Sequence, residues 1–348
     1  MKKILKITSL AVAAVTALSF ASCGENNEKD STAQSTDAIT EAPYPSPDYS
    51  SYPDVMKING KNVTYEEYRY YFLNVKYMFD RGDSEFWKDH SYDDEIKTEA
   101  LAYIKRQYAI EALAKQYGVA LTHEDYKSLD ETIEANKKQF DSINEYNEYL
   151  DYLNLTDRSN YRLAEVYTLE TKLYEYLTSE DSDRIIHGEK TLVNSFIDNY
   201  VYCADWIVLY NDYGDDKNEN KTLADRIKTQ LDEGVDFTEL KIAYSEDTRT
   251  NASKAPQYQM ELPYDRYIEK TILSLEEGKT SDVIELPYGY AVVRRYEKDK
   301  KYIEENFDTV FVPYYEESMF EIMLDNAEKE LTVEYSDGYE NLTVSTLQ

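Results

Sequence analysis

The sequence predicts an α+β chain in which one strand-bearing module, residues 200–298, interrupts a mostly helical protein. Three observations carry this reading. Before about residue 200, apolar positions recur at helical spacing, and capping residues open the segments. From Tyr202 to Leu209 and from Ser281 to Arg294 the pattern changes to short runs of β-branched and aromatic residues, the second folded around Pro287-Tyr288-Gly289. After Tyr302 the helical striping returns and ends in a strand-like Leu331-Thr332-Val333-Glu334-Tyr335. A chain of 348 residues has room for two or three such domains.

In chain order, Lys2, Lys3 and Lys6 precede an apolar run from Ile7 to Ala21, closed by small residues. A basic start, a short apolar stretch and a small-residue end make a secretory signal, here residues 1–22, too short to span a bilayer comfortably. Phe20-Ala21-Ser22-Cys23-Gly24 resembles the bacterial lipobox, with Phe20 where that motif usually has Leu. The resemblance implies lipidation of Cys23, and so a bacterial cell-membrane location with the protein anchored on the extracytoplasmic face. Residues 23–53 are rich in Ser, Thr, Asn, Pro and acids and predict a disordered tether.

The helical region 54–199 opens with Val55–Val63, a hairpin whose turn is Asn59-Gly60. Thr64 and Glu67 form a capping-box pattern before a helix reaching about Asp80. Further helices are expected over Asp93–Tyr117 with Gly118 as stop, Thr122–Phe140, Ile143–Leu153, Asp157–Thr178 and Glu189–Asn199. In the module, a first strand leads to helices over Lys221–Leu231 and from Asp236 to Tyr244, a long loop from Ser245 to Tyr264, a short helix and two strands. Residues 299–348 predict a helical segment interrupted near Pro313, then the closing strand.

Lys and Arg number 38 against 69 Asp and Glu, a net charge of −31, which becomes about −34 (−31 minus 3) once the three signal lysines are removed. Such a surface repels a nucleic-acid backbone, so no nucleic-acid partner is expected. The 36 tyrosines either serve surfaces that grip varied partners or stand where other chains use Phe or Leu. Cys203, in a strand with no His near it in sequence, reads as a small buried hydrophobe. The three histidines, His90, His123 and His187, all precede the module and cannot build a catalytic triad or a metal cage. The acidic loop Asp212–Asn220 lacks the alternating ligands of a calcium loop. No metal and no cofactor is expected. A solute-binding protein would need more strands than the sequence offers.

The order Val55-Met56-Lys57-Ile58-Asn59-Gly60, a Thr-capped helix, a long helix ending Gly118-Val119, then Leu121-Thr122-His123-Glu124-Asp125 resembles the N-terminal domain of SurA- and PrsA-type chaperones. That resemblance implies a helical cradle for unfolded polypeptide, with a C-terminal helix packing back on it. The module resembles the parvulin domain, PpiC type. Ala204-Asp205-Trp206-Ile207-Val208-Leu209 stands for its first strand, Gly234-Val235-Asp236-Phe237 through Ser245-Glu246-Asp247 for its helix and turn. Leu275-Glu276-Glu277-Gly278 through Gly289-Tyr290 stands for its closing strands. The implied fold is an antiparallel four-stranded sheet wrapped by helices and inserted in the helical domain.

Parvulins place a histidine pair under the prolyl bond. Carried over residue by residue, these positions fall on Trp206 and Ala291, while the adjacent Cys/Asp position is kept as Asp247. Met260 and Ile268 fall where the family has apolar pocket residues. Prolyl isomerisation breaks no bond; its barrier of about 20 kcal/mol comes from lost amide resonance, and an enzyme need only prefer the twisted amide. Trp206 offers a wall for proline but fills much of the cavity. Two readings follow: a peptidyl-prolyl isomerase and folding factor acting on unfolded or proline-containing polypeptides, weak or inactive through loss of its histidines, or a non-catalytic holdase whose module only binds or spaces.

Overall fold

A computed structural model describes residues 46–80, 82, 84–88, 91–179, 185–211, 217–248, 256–259, 266–286 and 288–347. Cys23, the signal, the tether as far as residue 45, His90 and Met260 lie outside the described residues, as does most of the loop Asp212–Asn220. In chain order the elements are β1 Met56–Ile58, β2 Lys61–Val63, α1 Tyr65–Asp80, α2 Asp93–Tyr117, α3 His123–Lys137, α4 Ile143–Tyr152, α5 Asp157–Thr178 and α6 Lys190–Tyr200. They continue with β3 Tyr202–Tyr210, α7 Lys217–Asp232, α8 Phe237–Tyr244, β4 Gln257–Gln259, α9 Arg266–Ser274, β5 Ile284–Leu286 and β6 Gly289–Tyr296. Then come α10 Lys300–Glu305, α11 Val312–Lys329 and β7 Val333–Tyr335. The chain divides into two compact units. Among the described residues, one runs from His187 to Ser318; the other holds those before His187 and resumes at Met319.

In the helical unit, Asn59 and Gly60 take φ of +51° and +75°, the left-handed pair that a two-residue hairpin turn requires. The other edge of β1 is taken by β7, giving an antiparallel sheet of order β2-β1-β7. This pairing joins positions some 275 residues apart (Lys57 opposite Glu334), which no local pattern reveals. Helix α2 stops where expected: Gly118 sits at φ +70° and the Val119 N–H closes on the Ala114 carbonyl at 2.8 Å. Thr122 and Asp125 make a complete capping box at α3. At α1 the box is only half made. The Glu67 N–H donates to Thr64 Oγ1 at 3.2 Å, but the Glu67 carboxylate turns inward instead of returning to Thr64.

Tyrosine builds much of this core: Tyr68 and Tyr146 are fully buried, and Tyr65, Tyr70, Tyr71, Tyr103 and Tyr108 nearly so. In the core, tyrosine therefore stands where other chains use Phe or Leu. Arg106 joins three elements, its guanidinium gripping both carboxylate oxygens of Glu321 and one of Glu170, each at 2.7 Å. Residues 46–53, the end of the stretch read as tether, pack on the unit. Tyr52 stacks on Tyr65 at 4.3 Å, and the Arg69 guanidinium lies 4.9 Å from the ring centre of Tyr49.

The second unit is built on an antiparallel sheet of order β4-β3-β6-β5. Strand β3 is buried nearly end to end, because helices cover both faces of the sheet. Such a strand reads as a continuous apolar run instead of an alternating one. On one face Ala204, Trp206 and Val208 pack with Ile268 and Ile272 of α9, Ala291 and Val293. On the other, Ile207 and Leu209 pack with Ala224 and Ile227 of α7, Phe237 and Leu240 of α8 and Val292. Gly289 enters β6 so close to β3 that an added Cβ would lie 1.9 Å from the Leu209 carbonyl oxygen, so the turn admits only glycine. The region expected as one long loop contains β4, three residues on the edge of β3. Its strand character comes from pairing with β3, since Gln257-Tyr258-Gln259 has little apolar signal of its own.

Candidate functional site

The geometry begins on β3. Trp206 lies opposite Val293 in the ladder, and Ala291 opposite Val208. The two positions singled out by sequence therefore sit on one sheet face, diagonal to each other. Ile268 reaches the same face from α9.

Asp247 arrives from below the strand through the segment that leaves α8. Beyond Ala204, where β4 ends, the free edge of β3 is bonded by this segment. The Val208 N–H donates to Ser245 Oγ at 3.2 Å, the Glu246 N–H to the Val208 carbonyl at 2.9 Å, and the Tyr210 N–H to Glu246 Oε2 at 2.5 Å. The edge groups are thereby satisfied, and Asp247 is held against Trp206. The Trp206 indole Nε1–H donates to Asp247 Oδ2 at 2.9 Å.

Of the five positions expected to form a site on this module, Trp206, Asp247, Ile268 and Ala291 come together; Met260 is outside the described residues. All four are buried, with exposures of 0, 1, 2 and 1% respectively. The indole occupies the interior of the face, and the Asp247 carboxylate accepts its N–H. The arrangement is a packed, hydrogen-bonded core.

Behind the same strand stands a charged pair that sequence reasoning missed. Lys241 Nζ lies 2.8 Å from Asp205 Oδ2, both side chains fully shut from solvent. Burial raises the Asp205 carboxyl to about 6, opposed by the Lys241 ammonium. Asp205 Oδ1 has no hydrogen-bond partner. The period-two pattern of β3 does place Asp205 on the α8 side, but nothing in the sequence shows that Lys241 reaches it. Cys203 is buried and its thiol is pushed up to about 11 by burial, so it is a poor nucleophile.

A second place of chemical interest lies in the helical unit, where the sequence suggested no chemistry. A cavity of about 810 Å³ opens between residues 46–49, β2, α1, α2 and the start of α5. Its walls carry Tyr70, Tyr71 and Tyr108 together with Glu67, Glu111 and Arg162. Glu111 is matched twice, by Lys61 at 2.7 Å and Arg162 at 2.5 Å. Glu67 is not. Burial raises its carboxyl to about 7, against the pull of Arg162 and with a further push from Glu111. Among the described residues no group of three or more His, Cys, Asp or Glu is placed to hold a metal ion, and no helix is long and apolar enough to cross a membrane.

Residues 207–297 match the rotamase family model, the PPIC-type PPIASE domain. The sheet unit thus carries a PPIC-type domain. Its matched span runs from the middle of β3 to just past β6 and takes in Asp247, Ile268 and Ala291, while Trp206 immediately precedes it. No curated protein matches the chain. Among solved structures, peptidylprolyl isomerase PrsA of Bacillus anthracis is 20% identical over 65% of this chain and 96% of that one, with a TM-score of 0.32. The foldase protein PrsA of Streptococcus pneumoniae is 20% identical over 79% and 92%, TM-score 0.32. A structure described among SurA-like chaperones of Campylobacter jejuni is 13% identical over 82% and 99%, again at 0.32. At these values the solved structures carry no functional argument, which rests on the family match and the site.

Proposed function

We propose that this chain is an extracytoplasmic protein-folding factor whose PPIC-type domain isomerises prolyl bonds weakly or not at all. The observation that carries the proposal is the family match over residues 207–297 combined with Trp206 at its edge, fully buried and bonded to Asp247. A peptide bound above an active floor needs room at the sheet face and polar groups free to meet a twisting amide. Here the indole fills that room, and Ala291 offers no polar atom. Asp247, the residue carried over as catalytic, has its Oδ2 engaged by the indole. The domain's remaining task is to bind or space extended segments, and client handling passes to the helical unit, where the 810 Å³ cavity lies. This is the holdase reading, and the cavity favours it.

A protease-coupled assay on a Xaa-Pro peptide tests the first part. The expected rate is the spontaneous one, within a factor of about three; turnover like that of a histidine-bearing parvulin domain would overturn it. Suppression of aggregation of a denatured client by the full chain tests the second.

The same proposal includes a membrane anchor at Cys23, supported by the basic start, the apolar run and the small residues before that cysteine. Cys23→Ser is expected to release the protein into the soluble fraction and to abolish incorporation of labelled fatty acid. Retention at the membrane with unchanged labelling would count against it.

A further inference from the structure

Ser46-Pro47-Asp48-Tyr49-Ser50-Ser51-Tyr52-Pro53 has the composition of a tether, yet it lies on the helical unit. Its hydrogen bonds are its own. The Ser50 N–H donates to Asp48 Oδ1 at 2.9 Å and the Tyr52 N–H to the Tyr49 carbonyl at 3.0 Å; among the described residues none joins the segment to another element. The segment is tied to α1 through two rings instead. Tyr52 stacks on Tyr65, centroids 4.3 Å and planes 18° apart, and Tyr49 meets the same ring at 5.8 Å. Arg69 follows Tyr65 by one turn on the same face of α1 and holds its guanidinium 4.9 Å from the ring centre of Tyr49. Tyr65 and Arg69 thus make a seat for two tyrosines three residues apart.

Contacts of this kind exchange. Directed hydrogen bonds fix one chain in one register, whereas stacked rings and a cation over a ring accept any tyrosine that reaches them. Tyr52 is 51% exposed even when seated. Arg69 is only 8% exposed, its Nε has no hydrogen-bond partner, and among the described residues no carboxylate pairs with it. A cation so placed favours an aromatic ring above it. The same segment, through Ser46, Pro47, Asp48 and Tyr49, forms one wall of the 810 Å³ cavity, and its departure removes that wall. We propose that the Tyr65–Arg69 face of α1 is an exchangeable seat, filled by the chain's own residues 46–53, which close the cavity wall when seated and open it when a segment of another polypeptide takes their place. A ligand carried on the same chain competes at an effective concentration on the order of millimolar, so the seat yields only to an abundant or better-fitting segment. The proposal rests on the client-handling reading of the helical unit and adds the device that controls access to it.

The experiment is fluorescence anisotropy of a labelled peptide with the segment's own sequence, Ser-Pro-Asp-Tyr-Ser-Ser-Tyr-Pro, titrated with the full chain. A control peptide carries alanine for both tyrosines. In the parent the seat is already filled, and the tyrosine peptide is expected to bind weakly. Tyr49→Ala with Tyr52→Ala empties the seat and is expected to bind that peptide about tenfold more tightly or better, because the competitor on the same chain is gone. Tyr52→Ala alone, at a half-exposed side chain, is expected to gain about threefold; it decides the question if the double variant fails to fold. Adding Arg69→Gln to the double variant is expected to remove most of the gain. Binding in the parent as tight as in both variants, equal binding of the alanine peptide, a gain undiminished by Arg69→Gln, or no binding by any chain at millimolar peptide overturns the proposal and makes residues 46–53 a fixed part of the fold. Tighter peptide binding by the emptied variants of a chain that fails to hold denatured clients would sink the folding-factor reading and leave the seat standing. A chain that holds clients while its seat never exchanges would do the reverse.

Discussion

Glu67→Gln tests the physical basis of the helical cavity without any ligand. In the folded chain the Glu67 carboxyl is raised from its ordinary 4.5 to about 7, chiefly by burial. The neighbours that face it are Arg162, which favours its charge, Glu111 and Glu66, which oppose it, and the Tyr108 hydroxyl. A carboxyl raised on folding binds its proton more tightly in the native state than in the unfolded one. Between pH 4.5 and 7 the native state therefore holds more protons, and stability falls as pH rises through that window. The contribution is fully present below about 4.5 and is lost above about 7. At about 1.36 kcal/mol per pH unit, a rise of about 2.5 (7 minus 4.5) is worth about 3 kcal/mol. Glutamine carries no charge at any of these pH values. The variant is expected to match the parent near pH 4.5 and to exceed it by up to about 3 kcal/mol at pH 8. Hydrogen exchange of the α1 and α2 amides, read by mass spectrometry at both pH values, reports the helical unit without assuming that the two units unfold together. A variant no more stable than the parent at pH 8 would refute the claim that Glu67 is a buried, unmatched carboxylate.

Trp206→Ala is expected to destabilise the sheet unit by about 3–5 kcal/mol, the range for a large aromatic removed from a closed core; denaturant unfolding followed on a sheet-unit probe checks it, and a loss under 1 kcal/mol would mean the indole sits in open space. Lys241→Met alone should cost about 3–5 kcal/mol by stranding the Asp205 carboxylate, whereas Lys241→Met with Asp205→Leu should return close to the parent; a double variant no better than the single would show that the pair is not acting as a pair. Arg106→Met should cost the helical unit a similar amount, because Glu321 and Glu170 are left facing each other without their shared cation. Its check is the midpoint of unfolding with a probe on α2.

Local chemistry alone determined much of this protein. The capping box at Thr122, the stop at Gly118, the Asn59-Gly60 turn and the span Asp157–Thr178 are each governed by residues within a few positions of one another, and so they are legible in sequence. The same holds for the module. Its strand, helix and turn signatures are short, and the family match falls on them.

What the tertiary structure decided is every relation across long sequence separations. The pairing of Val333–Tyr335 with β1, the Asp205–Lys241 pair and the Arg106–Glu321 clamp bring together residues 36 to more than 200 positions apart. The consequence for the site is direct. The resemblance to parvulins draws attention to Trp206 and Ala291; only the packing shows that the indole is buried and turned onto Asp247. Glu67 is the clearest case. Its local setting, three residues after Thr64, calls for a capping carboxylate, but the enclosed wall between α1 and α2 takes the side chain inward and leaves an acceptor without a donor.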